Sequence, residues 1–267
     1  MALDSGAFLY LQMPQASFRF YRELNDFLPR AQRQCTLTLT FGVPGSVKDA
    51  IESLGVPHTE VDLILANGES VDFNYRVQDG DRISVYPQFE RLDITPLTRL
   101  RSQPLREPRF VLDCHLGRLA RYLRMLGFDT LYRPDYHDDT LLQISLKQKR
   151  ILLTRDRGLL KRSELEHGYY VRATKPRQQL AEVVQRLQLE RRALPFSRCI
   201  ACNGTLAAVT KRAVEPLLPE NTRHYFHEFF QCRDCRRVYW KGSHFERMQL
   251  LVQEVLQHTG DSSEPPA

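Results

Sequence analysis

Four cysteines in the C-terminal third of the chain form two C-x-x-C pairs. The pairs are Cys199/Cys202 and Cys232/Cys235, with 29 residues between them. Two residues between cysteines allow one turn to present both sulfurs to a tetrahedral ion. A redox pair would be expected beside a thioredoxin-like βαβ pattern, which this sequence lacks, and disulfides are rare in the cytosol. The spacing therefore predicts a structural zinc ion held by four thiolates, with no position left open for chemistry.

A second set of possible ligands is acidic. Asp113 and Asp156 each follow a predicted strand, and Asp138 and Asp139 open a predicted helix. Ligands of open α/β sheets bind beyond the carboxyl ends of the strands, and carboxylates that converge there repel one another unless a cation neutralises them. Oxygen ligands suit Mg²⁺ or Mn²⁺, which can polarise a phosphodiester and activate water. Taken singly, each acid could be a helix cap or a polar strand end, so the prediction depends on the combination.

Basic residues near these acids could hold the phosphates of RNA. Arg155 and Arg157 flank the last acid of the set, which makes them the better candidates. Arg118, Arg121 and Arg124 fall on the helical face opposite a leucine-rich face. These three arginines could hold the phosphate backbone or form a solvated surface, and Arg118 is one of the candidate substrate-binding residues.

A basic and aromatic strip follows the second cysteine pair. Arg237, Trp240 and Lys241 belong to it, and such a strip can stack bases and hold phosphates. The alternative is that Val238 and Trp240 only pack a small core beside the zinc site.

The elements that must position the acids alternate between strand and helix. Short apolar runs predict strands, and leucines three or four residues apart predict amphipathic helices. This alternation favours a mostly parallel sheet with helices on both faces. The predicted strands are Phe110–Leu112, Phe128–Tyr132, Ile151–Thr154 and Tyr169–Arg172, and the predicted helices lie at about 116–126, 138–149 and 178–189.

The N-terminal part of the chain predicts a separate α+β unit. Strands are predicted at Cys35–Phe41, Val61–Ala66 and Arg82–Tyr86, with a short helix at Val47–Leu54 and a turn at Asn67-Gly68.

This unit resembles the ThiS/MoaD-like β-grasp family in three features. They are Leu65-Ala66-Asn67-Gly68, Asp79-Gly80-Asp81-Arg82-Ile83 and the closing Pro87. Sulfur carriers of that family end in Gly-Gly, whereas this chain continues through Phe89-Glu90-Arg91. The resemblance therefore implies a role in docking a protein partner rather than in carrying sulfur.

The stretch from Arg109 to Leu189 resembles the PIN-like ribonuclease family first described at the C-terminus of the Mut-seven exonuclease. The matching motifs are Phe110-Val111-Leu112-Asp113, Leu116-Gly117-Arg118-Leu119-Ala120-Arg121-Tyr122-Leu123-Arg124, Leu126-Gly127-Phe128-Asp129-Thr130, Asp138-Asp139 and Ile151-Leu152-Leu153-Thr154-Arg155-Asp156. The resemblance implies a PIN-like fold and metal-dependent hydrolysis of RNA to a 5′-phosphate and a 3′-hydroxyl. It also implies that Asp113, Asp138 and Asp156 bind the metal ion, with Asp139 as a further member. The family's usual mid-domain Glu has no identified equivalent, and Asp135 is a possible substitute.

Composition and charge set the wider organisation. Residues 1–91 carry 8 Lys and Arg against 12 Asp and Glu, whereas residues 92–267 carry 30 against 20, so the basic part could bind a polyanion. No apolar run reaches the ~18 residues of a membrane span, and the start shows no secretory signal, which predicts a cytoplasmic location. The sequence indicates no oligomeric state. The predicted domains are a β-grasp domain (14–91), a linker (92–108), a PIN-like domain (109–192), a zinc ribbon (197–248) and a disordered tail (259–267).

The sequence thus predicts a metal-dependent ribonuclease, and more specifically an endonuclease. One alternative is an RNA-binding adaptor in which the acids serve only as caps. Another is a module for protein docking or sulfur transfer centred on the β-grasp domain.

Overall fold

A computed structural model describes residues 13–87 and 108–257. The chain divides into two compact units, one within residues 1–104 and the other within residues 105–267. Almost all of the predicted linker and all of the predicted tail lie outside the described residues. Within the described ranges, each helix is too short or too polar to cross a lipid bilayer.

The first unit is a five-stranded mixed sheet with one α-helix. The strand order is β2-β1-β5-β3-β4, in which β1 and β5 are parallel and the other neighbours antiparallel. Phe18 and Phe20 alternate inward and are buried, as is Ile51 on the helix. This order, with the helix between β2 and β3, is β-grasp-like. The elements are β1 (Gln15–Phe20), β2 (Thr36–Thr40), α1 (Val47–Ser53), β3 (Val61–Ala66), β4 (Glu69–Val71) and β5 (Arg82–Pro87).

One hairpin turn and the hydrogen bonds of Asp81 explain two motifs of the N-terminal resemblance. Asn67 and Gly68 both adopt positive φ angles, 52° and 94°, as a tight hairpin turn between β3 and β4 requires. The Asn67 side chain accepts a hydrogen bond from the Arg82 backbone N–H at 2.9 Å and donates one to Asp81 at 2.8 Å. The buried Asp81 also accepts from the hydroxyl of Tyr75 at 3.0 Å. The polar motif residues therefore fasten the start of β5 to the hairpin.

The second unit contains a four-stranded sheet in the order β7-β6-β8-β9, and its three strand pairings are all parallel. Alternate residues of a strand face opposite sides. Accordingly, Phe110 and Leu112 join the core that lies under α2 and α5, and Val111 joins the core under α3 and α4. The parallel sheet with helices on both faces is thus as predicted. The elements are β6 (Phe110–Leu112), α2 (Gly117–Met125), β7 (Thr130–Tyr132), α3 (Asp138–Gln148), β8 (Ile151–Thr154), α4 (Arg157–Leu160), β9 (Gly168–Tyr170) and α5 (Pro176–Arg186).

The segment that bears the four cysteines forms a three-stranded antiparallel sheet in the order β10-β11-β12. Two short helices occupy the interval between the cysteine pairs, and Val214, Leu218 and Phe229 form a small core beneath them. The elements are β10 (Leu206–Val209), α6 (Lys211–Val214), α7 (Glu220–Tyr225), β11 (Phe229–Cys232) and β12 (Val238–Trp240).

A final helix, α8 (Ser243–Gln257), was not predicted from the sequence. Its buried residues Leu251, Val252 and Val255 belong to the same hydrophobic core as Leu180 and Val183 of α5. The chain therefore returns from the cysteine-bearing sheet to the parallel sheet's own core.

Candidate active site and cysteine cluster

Two of the predicted acids follow adjacent strands, and a third opens the helix that comes after the neighbouring strand. Asp113 directly follows β6, Asp156 follows β8 after one residue, and Asp138 opens α3, the element after β7. Because β7, β6 and β8 are parallel neighbours, their carboxyl ends meet at one edge of the sheet. This is the edge at which open α/β sheets bind ligands.

Asp113 is buried and held in place by two donors. Its Oδ1 accepts from the backbone N–H of His115 at 2.8 Å, and its Oδ2 accepts from the Thr154 hydroxyl at 2.7 Å. Burial alone would raise the pKa of this carboxyl group, but these hydrogen bonds, with that of Cys114, outweigh it and hold the pKa below its ordinary value. Asp113 is therefore an ionised carboxylate at neutral pH.

Thr154 links two of the acids. It is completely buried, and its hydroxyl donates to Asp113 and accepts from the backbone N–H of Asp156 at 2.9 Å. In the sequence, Thr154 stood out only as one residue of the motif that ends at Asp156. The Thr-x-Asp spacing after a strand is the pattern that could have indicated its role. Asp156 in turn caps α4, since its Oδ1 accepts from the backbone N–H of Gly158 at 2.7 Å.

Asp138 and Asp139 are exposed in the first turn of α3. The residue at the N-cap position is His137, so the prediction that Asp138 caps the helix was wrong by one position. Burial and the neighbouring Asp113 raise the pKa of the Cys114 thiol, with a smaller contribution from Asp138. Asp139 instead accepts from Arg162 at 3.2 Å.

Within residues 108–257, one group of three possible metal ligands at this edge has ligand atoms all within 4.8 Å of one another. It consists of Asp113, Cys114 and His115, and Asp138 and Asp156 lie outside it. Asp135, the possible substitute for the missing Glu, is exposed and forms a two-pronged ion pair with Arg133, with distances of 3.0 and 2.8 Å.

The predicted phosphate-binding arginines differ in their surroundings. Arg118 is exposed on α2, and Arg157 is exposed with its guanidinium over the ring of Tyr170 at 5.4 Å. Arg155 is directed to the loop after β9, where its Nη1 donates to the carbonyl oxygens of Val171, Arg172 and Ala173. Through these hydrogen bonds, Arg155 fixes the loop after β9.

Arg124 was predicted on the polar face of α2, but its side chain is buried. It is 5% exposed, and it donates to the carbonyl oxygens of Thr130 at 2.9 Å and Ala201 at 2.9 Å. Burial lowers the pKa of its guanidinium, and the thiols of Cys202 and Cys199 partly restore it. Arg124 therefore connects α2 to the first cysteine turn.

The four cysteines form one compact cluster. Their sulfur atoms all lie within 4.8 Å of one another, with Sγ–Sγ distances of 3.6 Å for Cys199 to Cys235 and 3.4 Å for Cys202 to Cys232. Tetrahedral zinc–sulfur bonds of ~2.3 Å would place the sulfurs about 3.8 Å apart. Burial opposes ionisation of Cys199, but hydrogen bonds from Tyr239 and from backbone N–H groups lower its pKa to about 6.

Each cysteine pair ends in a turn with a positive φ angle. Asn203 follows Cys202 with φ of 78°, and Arg236 follows Cys235 with φ of 61°. Gly204 has no room for a side chain, because an added Cβ would lie 2.8 Å from the sulfur of Cys232. The sequence prediction that these cysteines converge is therefore consistent with the backbone of both turns.

The first cysteine turn is fastened to the edge strand β7. The Asn203 side chain accepts from the backbone N–H of Thr130 at 2.9 Å and donates to Asp129 at 2.7 Å. Asp129 also forms an ion pair with the buried Arg150, with distances of 2.8 and 3.0 Å. Burial opposes the ionisation of Asp129, but Arg150 and Asn203 overcome it and lower its pKa.

The basic and aromatic strip of β12 is only partly open. Arg237 and Lys241 are exposed, and Lys241 forms an ion pair with Glu228 at 2.6 Å. Trp240 is half-buried against the small core around Phe229. Trp240 thus has the packing role that the sequence left open, and Arg237 and Lys241 are the exposed candidates of the strip.

No curated protein matches the chain. Residues 13–93 match the family model described as Mut7-C ubiquitin. Two crystal structures of small archaeal modifier protein 1 from Haloferax volcanii are similar to 28% of this chain. One is 16% identical over 99% of its own chain with a TM-score of 0.24, and the other is 17% identical over 96% with a TM-score of 0.23.

A family match of the second unit confirms the resemblance seen in the sequence. Residues 108–252 match the family model described as the Mut7-C RNAse domain. This match covers more than half of the 267 residues and includes Asp113, Asp138, Asp156 and the four cysteines. The chain belongs to the Mut7-C RNAse domain family.

Proposed function

We propose that the chain is a divalent-metal-dependent ribonuclease that cuts RNA internally, with a PIN-like catalytic sheet and a structural zinc ribbon. The observation that carries this proposal is the placement of Asp113 and Asp156 after the carboxyl ends of two adjacent parallel strands, with Asp138 opening the helix that follows the neighbouring strand. The family model that matches this region supports nuclease chemistry.

The donors at this edge fit a hard dication. Mg²⁺ keeps several waters and is usually bound through one or two carboxylates, so the three acids need not all touch one ion. Asp113 accepts hydrogen bonds from His115, Thr154 and Cys114, and the two oxygens of a carboxylate together offer about four lone-pair sites, so one site is left for an ion. Asp113, Asp138 and Asp156 would hold Mg²⁺ or Mn²⁺, with Asp139 as a further member of the set. The bound ion would supply Lewis-acid polarisation of the phosphodiester.

Several residues of this chain then act on the substrate or on the acids. Thr154 keeps Asp113 and Asp156 in a fixed relation. Arg157 and Arg118 are exposed and would hold phosphates next to the acids. Arg237 and Lys241 would contact a more distant part of the RNA. Hydrolysis in this arrangement would leave a 5′-phosphate and a 3′-hydroxyl.

The four-cysteine cluster fits zinc on three grounds. The four sulfur atoms form one cluster, their separations approach those of a tetrahedral site, and both turns have a positive φ angle after the cysteine pair. Four thiolate ligands leave no open position, so the zinc would be structural. The ubiquitin-like unit would serve to bind a protein partner.

The test uses the full-length protein as purified, with labelled linear and circular RNA. Metal is controlled by adding or omitting Mn²⁺ or Mg²⁺ rather than by a strong chelator, because a chelator could remove zinc as well. We expect cleavage of both substrates only when the dication is added. Elemental analysis should give about one zinc per chain.

Two matched variants complete this test. Asp156→Asn keeps the capping of α4, since Asn is an equally good N-cap, but it removes the charge and should lower cleavage at least ~100-fold. Glu166→Gln removes an exposed carboxylate before β9, at the opposite edge of the same sheet, and should cleave like the wild type. RNA binding without cleavage under every metal condition would favour the adaptor. Equal cleavage by Asp156→Asn would contradict the catalytic proposal.

A further inference from the structure

Three consecutive residues at the catalytic edge offer three different donor atoms. Asp113, Cys114 and His115 contribute an oxygen, a sulfur and a nitrogen, and these ligand atoms all lie within 4.8 Å of one another. Bonds of about 2.0–2.3 Å to a tetrahedral ion would separate such ligands by about 3.3–3.8 Å, which small side-chain rotations can reach from this arrangement.

The backbone that carries these donors is fixed from two sides. The three residues open a 3-10 turn in which Asp113 accepts from the backbone N–H of His115. The Tyr132 hydroxyl donates to the carbonyl oxygen of Cys114 at 3.0 Å. Gly117 makes this possible, because an added Cβ would lie 2.6 Å from the Tyr132 oxygen. The donors are therefore pre-positioned on a braced turn.

The set is also accessible from solvent. His115 is exposed and Cys114 is half-buried, whereas Asp113 is buried beneath them. A cation arriving from solution would meet the imidazole and the thiol before the carboxylate.

This donor chemistry differs from that of the hard-ion site. Imidazole and thiolate favour Zn²⁺ and related transition ions, and Mg²⁺ favours oxygen alone. We propose that Asp113, Cys114 and His115 bind a thiophilic dication of the Zn²⁺ class, separate from the zinc of the four-cysteine cluster. Three protein ligands leave one coordination position for water. Because Asp113 belongs to both donor sets, the thiophilic ion excludes the hard dication and inhibits cleavage; this consequence, unlike the binding, rests on the proposed function.

Binding is tested with Co²⁺ as the probe, on the full chain with its zinc already bound. Zinc binds such sites more tightly than cobalt, so Co²⁺ does not displace it from the four cysteines. We expect one further Co²⁺ per chain, with a sulfur-to-cobalt charge-transfer band in the near ultraviolet. Cys114→Ser should abolish the band, and His115→Ala should weaken Co²⁺ binding at least ~10-fold. Cys35→Ser removes an exposed thiol of the first unit and should leave the band unchanged.

Inhibition is tested by RNA cleavage in Mg²⁺ with increasing Zn²⁺. Half-inhibition of Cys114→Ser, relative to its own activity without Zn²⁺, should need at least ~10-fold more Zn²⁺ than that of the wild type. Absence of the band in the wild type, its persistence in Cys114→Ser, or its loss in Cys35→Ser would overturn the assignment. A chain that cleaves no RNA but shows the Cys114-dependent band would refute the proposed function and leave this site standing.

Discussion

Replacing Thr154 by Val tests how the fold holds the buried acid. Valine has nearly the same shape but no hydroxyl, so Asp113 loses the 2.7 Å hydrogen bond and the Asp156 N–H loses its 2.9 Å acceptor. A hydrogen bond to a charged group contributes about 1.5–3 kcal/mol, and the hydrogen bond from the part-buried Asp156 N–H about 0.5–1.5 kcal/mol. The added methyl group returns about 0.8 kcal/mol. We expect Thr154→Val to lower the free energy of unfolding by about 1–4 kcal/mol.

The measurement is urea unfolding at neutral pH, followed by the fluorescence of Trp240, the sole tryptophan of the chain and a residue of the second unit. Thr154→Ser is the matched control because it keeps the hydroxyl and loses only a methyl group. It should cost about 1 kcal/mol. The hydrogen bonds, rather than the side-chain volume, then account for the difference between the two variants.

The pH dependence of this difference identifies the carboxylate. The pKa of Asp113 is lowered in the folded protein, so its ionised form adds stability that is present above the unfolded pKa and is lost as the pH falls through the folded value. Thr154→Val raises the folded pKa, so its deficit relative to Thr154→Ser should be full at pH 7 and shrink toward pH 3. Zinc bound at the four cysteines, as proposed, would be lost in acid from both variants alike. Equal stability of the two variants at pH 7, or a difference that does not change with pH, would refute the reasoning.

Three further predictions concern the connection between the cysteine cluster and the parallel sheet, each measured by thermal unfolding with Trp240 fluorescence. Asn203→Ala should lower the free energy of unfolding by about 2–4 kcal/mol, because it loses the hydrogen bonds to Thr130 and Asp129 and must keep a positive φ angle. Asn203→Gly tolerates this φ angle and should lose only the hydrogen bonds. Gly127→Ala should cost at least about 3 kcal/mol, because its φ is 93° and a Cβ would lie 2.2 Å from the Leu194 carbonyl oxygen. Removal of zinc by a chelator should lower the melting temperature by roughly 10 °C or more and should be reversed by added zinc, and an unchanged melting temperature would exclude a structural ion.

Sequence patterns located the strands because those signals are local. Val61–Ala66, Phe110–Leu112 and Ile151–Thr154 have the predicted bounds, since each is a short apolar run closed by turn or polar residues. The acids followed from the same runs, because a residue after a parallel strand must lie at the carboxyl edge. What the sequence did not provide is the direction of each side chain at that edge.

Arg155 and Arg124 show why direction is harder to predict. Arg155 flanks Asp156 and was predicted to hold phosphate, but its Nη1 donates to three carbonyl oxygens 16 to 18 residues later. Arg124 has partners as far as 77 residues away. Helical periodicity describes only a helix's own surface, so it cannot show that a distant turn will supply acceptors.

The same distant contacts indicate that the cysteine cluster and the acids belong to one folding unit. Asn203 holds Thr130 at the start of β7, and the chain that leaves β7 leads to Asp138. Arg124 joins the first cysteine turn to α2, the helix that follows Asp113, and α8 returns after the last cysteine to the core beneath the sheet. An ion that fixes the cysteine turn therefore stabilises β7, which leads to Asp138, and α2, which follows Asp113. Zinc in this protein would take no part in the reaction itself, but its loss should displace the edge of the parallel sheet that carries the acids.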